Sequence, residues 1–226
     1  MKRSFITDKI LLLSVLFGLL LFTALSAAAQ QGLPENEKDT YTKAVQELKS
    51  GSYDLALNLF NTSLRIRIEK NGSNSVPVAN VLTNLGVIKS QLGSYDQAIE
   101  YYQKAATIYF QEGDNKLKQL ASVQQNLAIC FSEKGDFEKA RSYYENSERI
   151  YRTLMLENSA DYEDLLINQT LLFINYNDLA KAEELNNSAL GIKTLKKSEF
   201  NKWNNKGLIF FKKKNYIQSM VPGFAA

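Results

Sequence analysis

Asparagine stands at positions 84, 126 and 168, at a constant interval of 42 residues, and Asn205 follows after a shorter step. Three residues beyond each lies an aliphatic side chain: Val87, Ile129, Leu171 or Leu208. A carboxamide both donates and accepts hydrogen bonds. A ladder of them can therefore pair with the main chain of an extended peptide while the aliphatic row takes its apolar side chains. The other reading is that each amide bonds a neighbouring helix and fixes the spacing between the two, since a buried polar group needs a partner in either case. Helical spacing puts Asn80, Gln91, Ser122, Gln125 and Asp164 on the same faces. The candidate peptide-binding set is thus Asn80, Asn84, Val87, Gln91, Ser122, Gln125, Asn126, Ile129, Asp164, Asn168, Leu171 and Asn205.

Other chemistries lack their residues. The 226-residue chain contains no histidine, which removes Ser/His and Cys/His nucleophile pairs, the HExxH zinc helix and any imidazole base. Its one cysteine, Cys130, has no partner for an internal disulfide. Cys130 falls in the column that holds Ile88, Leu172 and Ile209, and is expected in the core. Adjacent carboxylates such as Glu183 and Glu184 belong to a polar helix surface. No metal cluster or phosphate loop is legible, so neither an enzyme nor a cofactor is expected.

The elements that must position the amides come from a repeat. Gly51-Ser-Tyr53-Asp-Leu-Ala56 recurs as Gly93-Ser-Tyr95-Asp-Gln-Ala98, as Gly135-Asp-Phe137-Glu-Lys-Ala140, and more weakly as Asn177-Asp-Leu179-Ala-Lys-Ala182, each 42 residues after the last. Glycine or asparagine first suits a helix C-terminus that turns through the left-handed region. Ser52, Ser94, Asp136 and Asp178 then suit the N-cap of a following helix. Small residues stand seven before each corner (Ala44, Gly86, Ala128, Thr170) and five after it (Ala56, Ala98, Ala140, Ala182), which lets two antiparallel helices approach closely. Phe60, Tyr102 and Tyr144 lie on the same face as the corner aromatics.

This order of small residue, Gly-x-aromatic-x-x-Ala and aromatic resembles the tetratricopeptide repeat, and the 42-residue period is similar to the lengthened kinesin-light-chain variant. The resemblance covers residues 37 to 190 strongly. It implies an all-α, right-handed superhelical solenoid of antiparallel helix pairs, whose first helices line a concave groove that binds a peptide or protein segment. It also implies that asparagine in this column contacts the ligand main chain. The basic clamp of related chaperone-binding repeats is not reproduced, so an acidic C-terminal tail is a poor ligand. Residues 30–190 hold four repeats with corners at 51, 93, 135 and 177. Residues 191–226 read as a degenerate, incomplete fifth repeat with a basic tail and a corner at Lys214, leaving the C-terminal end uncapped and open to homo-oligomer formation.

Lys2 and Arg3, the apolar run from Ile10 to Leu25 and Ala27-Ala28-Ala29 read as a signal peptide over residues 1–29, cleaved before Gln30. An uncleaved membrane anchor is the competing reading. Without residues 1–29 the net charge falls from +3 to +1, which gives no reason to expect nucleic acid. Residues 30–190 carry a net charge of −6 and residues 191–226 a net charge of +7, a polarity that suits an anionic partner, a second copy, or simply a solvated face. The expected protein is an exported scaffold, periplasmic, on the cell surface or secreted. The alternative is the ligand-sensing periplasmic part of a membrane signalling protein, shortened so that the output domain is absent.

Overall fold

The computed structural model describes residues 36–192 and 196–220, with side chains placed over 36–192 and 199–215. The signal segment and the last six residues lie outside that range. The described residues form helices and no strand: α1 (Glu37–Ser50), α2 (Tyr53–Asn71), α3 (Val76–Gln91), α4 (Tyr95–Gln111), a 3-10 turn (Gly113–Lys116), α5 (Leu117–Glu133), α6 (Phe137–Thr153), α7 (Ala160–Asn175), α8 (Leu179–Gly191) and α9 (Lys196–Met220). The fold class is all-α, of the tetratricopeptide solenoid kind. The chain divides into two compact units, residues 1–59 and 60–226. In the first, α1 is capped by Asn36, whose Oδ1 accepts from the Asp39 N–H at 2.9 Å, and Ala44 and Ala56 are fully buried.

All four corners turn as the spacing requires. Gly51, Gly93, Gly135 and Asn177 have φ of 81°, 71°, 78° and 63°. At each, the corner N–H donates to the carbonyl three residues back and the next N–H to the carbonyl five back, as in Gly93 to Ser90 at 3.0 Å and Ser94 to Lys89 at 2.8 Å. These paired bonds are a Schellman motif, and its left-handed residue accepts glycine or asparagine where other side chains strain. The caps that follow divide by chemistry. Asp136 and Asp178 accept from the N–H of Lys139 and Lys181 at 3.2 and 3.1 Å. Ser94 makes no such bond, and Ser52 instead lies 3.0 Å from Ser50 Oγ. At these corners the side-chain cap forms at the aspartates and not at the serines, whereas Ser159, in extended backbone, caps α7 by accepting from the Tyr162 N–H at 3.2 Å.

In the larger unit each helix packs on the next, and α3, α5, α7 and α9 also touch in sequence. The small columns sit at the crossings: Ala98, Ala140 and Ala182 are fully buried, and a Cβ added to Gly86 would lie 2.6 Å from the Tyr102 ring. Tyr102 and Tyr144 fill the spaces left by these small residues and are themselves buried. Cys130 is buried among them as expected, 3.7 Å from Ser90 Oγ, and burial raises its thiol above the ordinary value.

The C-terminal segment departs from expectation. No corner forms at Lys214, and α9 continues through that position as one helix of 25 residues. Lysine offers no relief from left-handed strain, so the helix does not turn there. α9 packs on both α7 and α8. Its inner face carries Lys202, Asn205, Ile209 and Lys212. Lys202 Nζ, fully buried, donates to Glu163 at 2.6 Å, to the Ile192 carbonyl at 3.0 Å and to Glu199 at 2.7 Å. Lys212 donates to the Ile174 carbonyl at 2.7 Å, and Lys213 pairs with Glu183. Part of the basic run is therefore an internal clasp on the acidic body rather than a solvated or partner-facing surface.

Candidate functional site

The candidate residues of α3, α5 and α7 come out as one partly covered row on each helix. Asn80, Asn84, Val87, Ser122, Gln125, Asn126, Ile129, Asn168 and Leu171 are all half-buried, and Gln91 and Asp164 are exposed at the ends. Positions one residue away, such as Leu85, Leu127 and Ile167, are in the core. The row is therefore the edge between core and surface on successive first helices, where a side chain holds a fixed position and still meets a ligand. Val87 and Ile129 rest against the core with one side.

The amides of the row are used differently. Asn84 Nδ2 donates to the Asn80 carbonyl one turn earlier, at 2.9 Å. Asn80 Oδ1 accepts from the Tyr109 hydroxyl at 2.8 Å, which ties α3 to α4. No hydrogen bond within the described residues engages the amides of Asn126 or Asn168. Asn205 stands apart: it is 1% exposed and donates to the Ile167 carbonyl at 3.3 Å, so it holds α9 to α7 and offers nothing to a groove. The expected groove role is corrected at that position. In α9 this column turns inward because the clasp at Lys202 sets the helix's rotation.

Two site-shaping residues escaped the sequence reading. Tyr109 and Tyr151, 42 residues apart, close each pair from its second helix: Tyr109 on Asn80 and, at 3.4 Å, Thr83; Tyr151 on Ser122, also at 3.4 Å. Burial raises the Tyr151 hydroxyl above its ordinary value. The interval itself was the available signal. A separate cleft of about 480 Å³ is lined by Leu64, Ile68, Leu82, Tyr101, Lys104 and Ile108, between α2, α3 and α4, and contains none of the asparagine row.

Charges around the row link one repeat to the next. Lys118 meets Asp161 at 2.7 Å, a bond that raises the lysine above its ordinary value. Lys134 pairs with Asp96, and Glu133 accepts from the Tyr95 hydroxyl at 3.4 Å. Among the described residues no three His, Cys, Asp or Glu side chains cluster to hold a metal ion.

The tetratricopeptide repeat family model matches residues 39–111 and 91–153. No curated protein matches the chain. Among solved structures, BtubC (BKLC) from P. vanneervenii is 19% identical, with a TM-score of 0.60 over 81% of this chain and 80% of that one. A Podosopora anserina kinesin light chain of nearly identical TPR-like repeats is 14% identical, with a TM-score of 0.63 over 80% of this chain and 92% of that one. At these identities the neighbours speak for the fold alone. Members of the matched family are generally non-catalytic scaffolds that bind other proteins. With its repeats matched over half its length, the chain belongs to the tetratricopeptide repeat family.

Proposed function

We propose that the chain is an exported, non-catalytic scaffold that holds an extended peptide or protein segment in the concave groove lined by α3, α5 and α7. The observation that supports this reading is the pair Asn126 and Asn168. Both are half-buried, on neighbouring helices, without an internal hydrogen bond among the described residues, and each lies beside a half-buried aliphatic, Ile129 or Leu171. Such amides are aimed donors and acceptors waiting for a main chain. Glu133 and Asp164 leave the middle of the row neutral to acidic, which favours a segment without an acidic terminus. No cofactor, metal or nucleic acid enters this reading. A membrane enters only if residues 1–29 are retained. Self-association through the C-terminal end is a separate property, carried by other residues.

A displayed peptide library panned on the immobilised protein supplies ligands for the test. Asn126→Ala or Asn168→Ala should weaken a selected peptide by about 1–3 kcal/mol, since a bound peptide group then loses its partner, with little change in Tm. Asn205→Ala should do the reverse, lowering Tm and leaving affinity alone. Peptides that bind all three variants equally well would exclude this face.

A further inference from the structure

α9 occupies the place of a fifth first helix, and the face it turns outward is the one that elsewhere receives a second helix. Phe200, Gly207 and Phe210 fall in the columns that hold Ala121, Ala128 and Phe131 in α5. There the face is covered by α6: the Ala121 carbonyl accepts from Ser147 at 2.9 Å, and Phe131 stacks on Tyr143 with centroids 5.3 Å apart. In α3, the residue of the Gly207 column is Gly86, against which the Tyr102 ring lies. On α9 the same face is open. Phe200 is 74% exposed, Trp203 57%, Phe210 72% and Phe211 61%, and no atom lies within 4 Å of a Cβ built on Gly207.

We propose that a second copy of this chain fills the slot with its own α9, the two helices antiparallel about a two-fold axis at Gly207. The spacing of the face is self-complementary about that residue. Positions equally far from it on either side meet across the axis, which sets Trp203 against the partner's Phe211 and Phe200 against the partner's Lys214. Glycine at the centre is a poor helix former and adds no apolar area, but it lets two backbones close on one another. A lipid surface would have no use for it. Two of the flanking cations already have partners on this chain, Lys206 lying 4.9 Å over the Trp203 ring and Lys213 paired with Glu183.

The test is sedimentation equilibrium of the full chain, read alongside the emission of Trp203, the only tryptophan. The expected result is a monomer–dimer equilibrium with a blue shift of Trp203 on association. Gly207→Leu and Trp203→Glu should each raise the dissociation constant about tenfold or more. A Cβ at Gly207 meets no atom within 4 Å and the position is exposed, so Gly207→Leu should not lower the Tm of dilute protein. Asn126→Ala should leave the dimer unchanged, so loss of the groove reading and loss of this one are distinguishable. A wild-type chain that stays monomeric at every attainable concentration overturns the proposal, as does a dimer that both variants leave intact. A monomer whose Trp203 emission shifts only on adding phosphatidylglycerol vesicles overturns it in favour of a lipid surface.

Discussion

Gly86 shows how much one atom decides in this fold. Helix propensity alone favours alanine at a mid-helix position by about 1 kcal/mol, and three sister repeats carry a Cβ there in Ala44, Ala128 and Thr170. At Gly86 the added carbon would meet the Tyr102 ring at 2.6 Å, closer than contacts permit. Tyr102 is buried and held on all sides, so the ring has little room to retreat. We expect Gly86→Ala to lower stability by about 1–3 kcal/mol, the usual size of an overpacking penalty. Thermal and urea unfolding measure it. A stability equal to or above wild type would mean that α3 and α4 cross elsewhere.

At the scale of the element, α9 is the part of the chain whose pattern inverts. Lys202 and Asn205 face inward and Phe200, Trp203, Phe210 and Phe211 outward, the reverse of an ordinary amphipathic helix. What sets that orientation is the ion pair between Lys202 and Glu163, both almost wholly buried. Burial pulls the Lys202 ammonium down, but its bonds to Glu163 and Glu199 outweigh this and hold it above the ordinary lysine value. With the folded value raised, the pair contributes in full below the ordinary lysine pKa. The lysine's contribution is lost as pH rises through the raised value. Lys202→Met removes the ammonium from the buried Glu163 carboxylate and should cost about 3–5 kcal/mol, whereas the double change Lys202→Met with Glu163→Leu should recover most of it. A thermodynamic cycle on the four proteins reads the coupling. A double variant as unstable as the worse single would show that the pair is not what docks α9. The alkaline loss of stability should be steeper in wild type than in the double variant.

For the whole molecule, the proposed export would decide where the scaffold works. Among the described residues no helix is long and apolar enough to cross a membrane, so the membrane question rests on the segment before Gln30. A basic start, an apolar run and the Ala27-Ala28-Ala29 site are the parts a signal peptidase reads. N-terminal sequencing of the native protein should begin at Gln30, with recovery that needs no detergent. Recovery of the intact Met1 form from membranes alone would make residues 1–29 an anchor and favour a membrane-held receptor.

The 42-residue interval was sufficient by itself for the corners, the small-residue crossings and the buried Cys130, because a left-handed turn and a close helix contact each admit few residue types. Those constraints are local, or lie between helices adjacent in sequence, and so they are written at fixed spacing. The asparagine row was legible for the same reason, as an edge of successive helices. What only the tertiary structure decided is how similar residues divide their work. Asn126 and Asn168 keep their amides disengaged, Asn84 bonds its own helix, and Asn205 is buried against α7. The lysines of the C-terminal run divide in the same way between clasp and surface. An amide or an ammonium is compatible with either place, and the choice depends on which carbonyl or carboxylate some 38 residues away comes within reach. That distance is set by the packing of α9 on α7, which no spacing within α9 records.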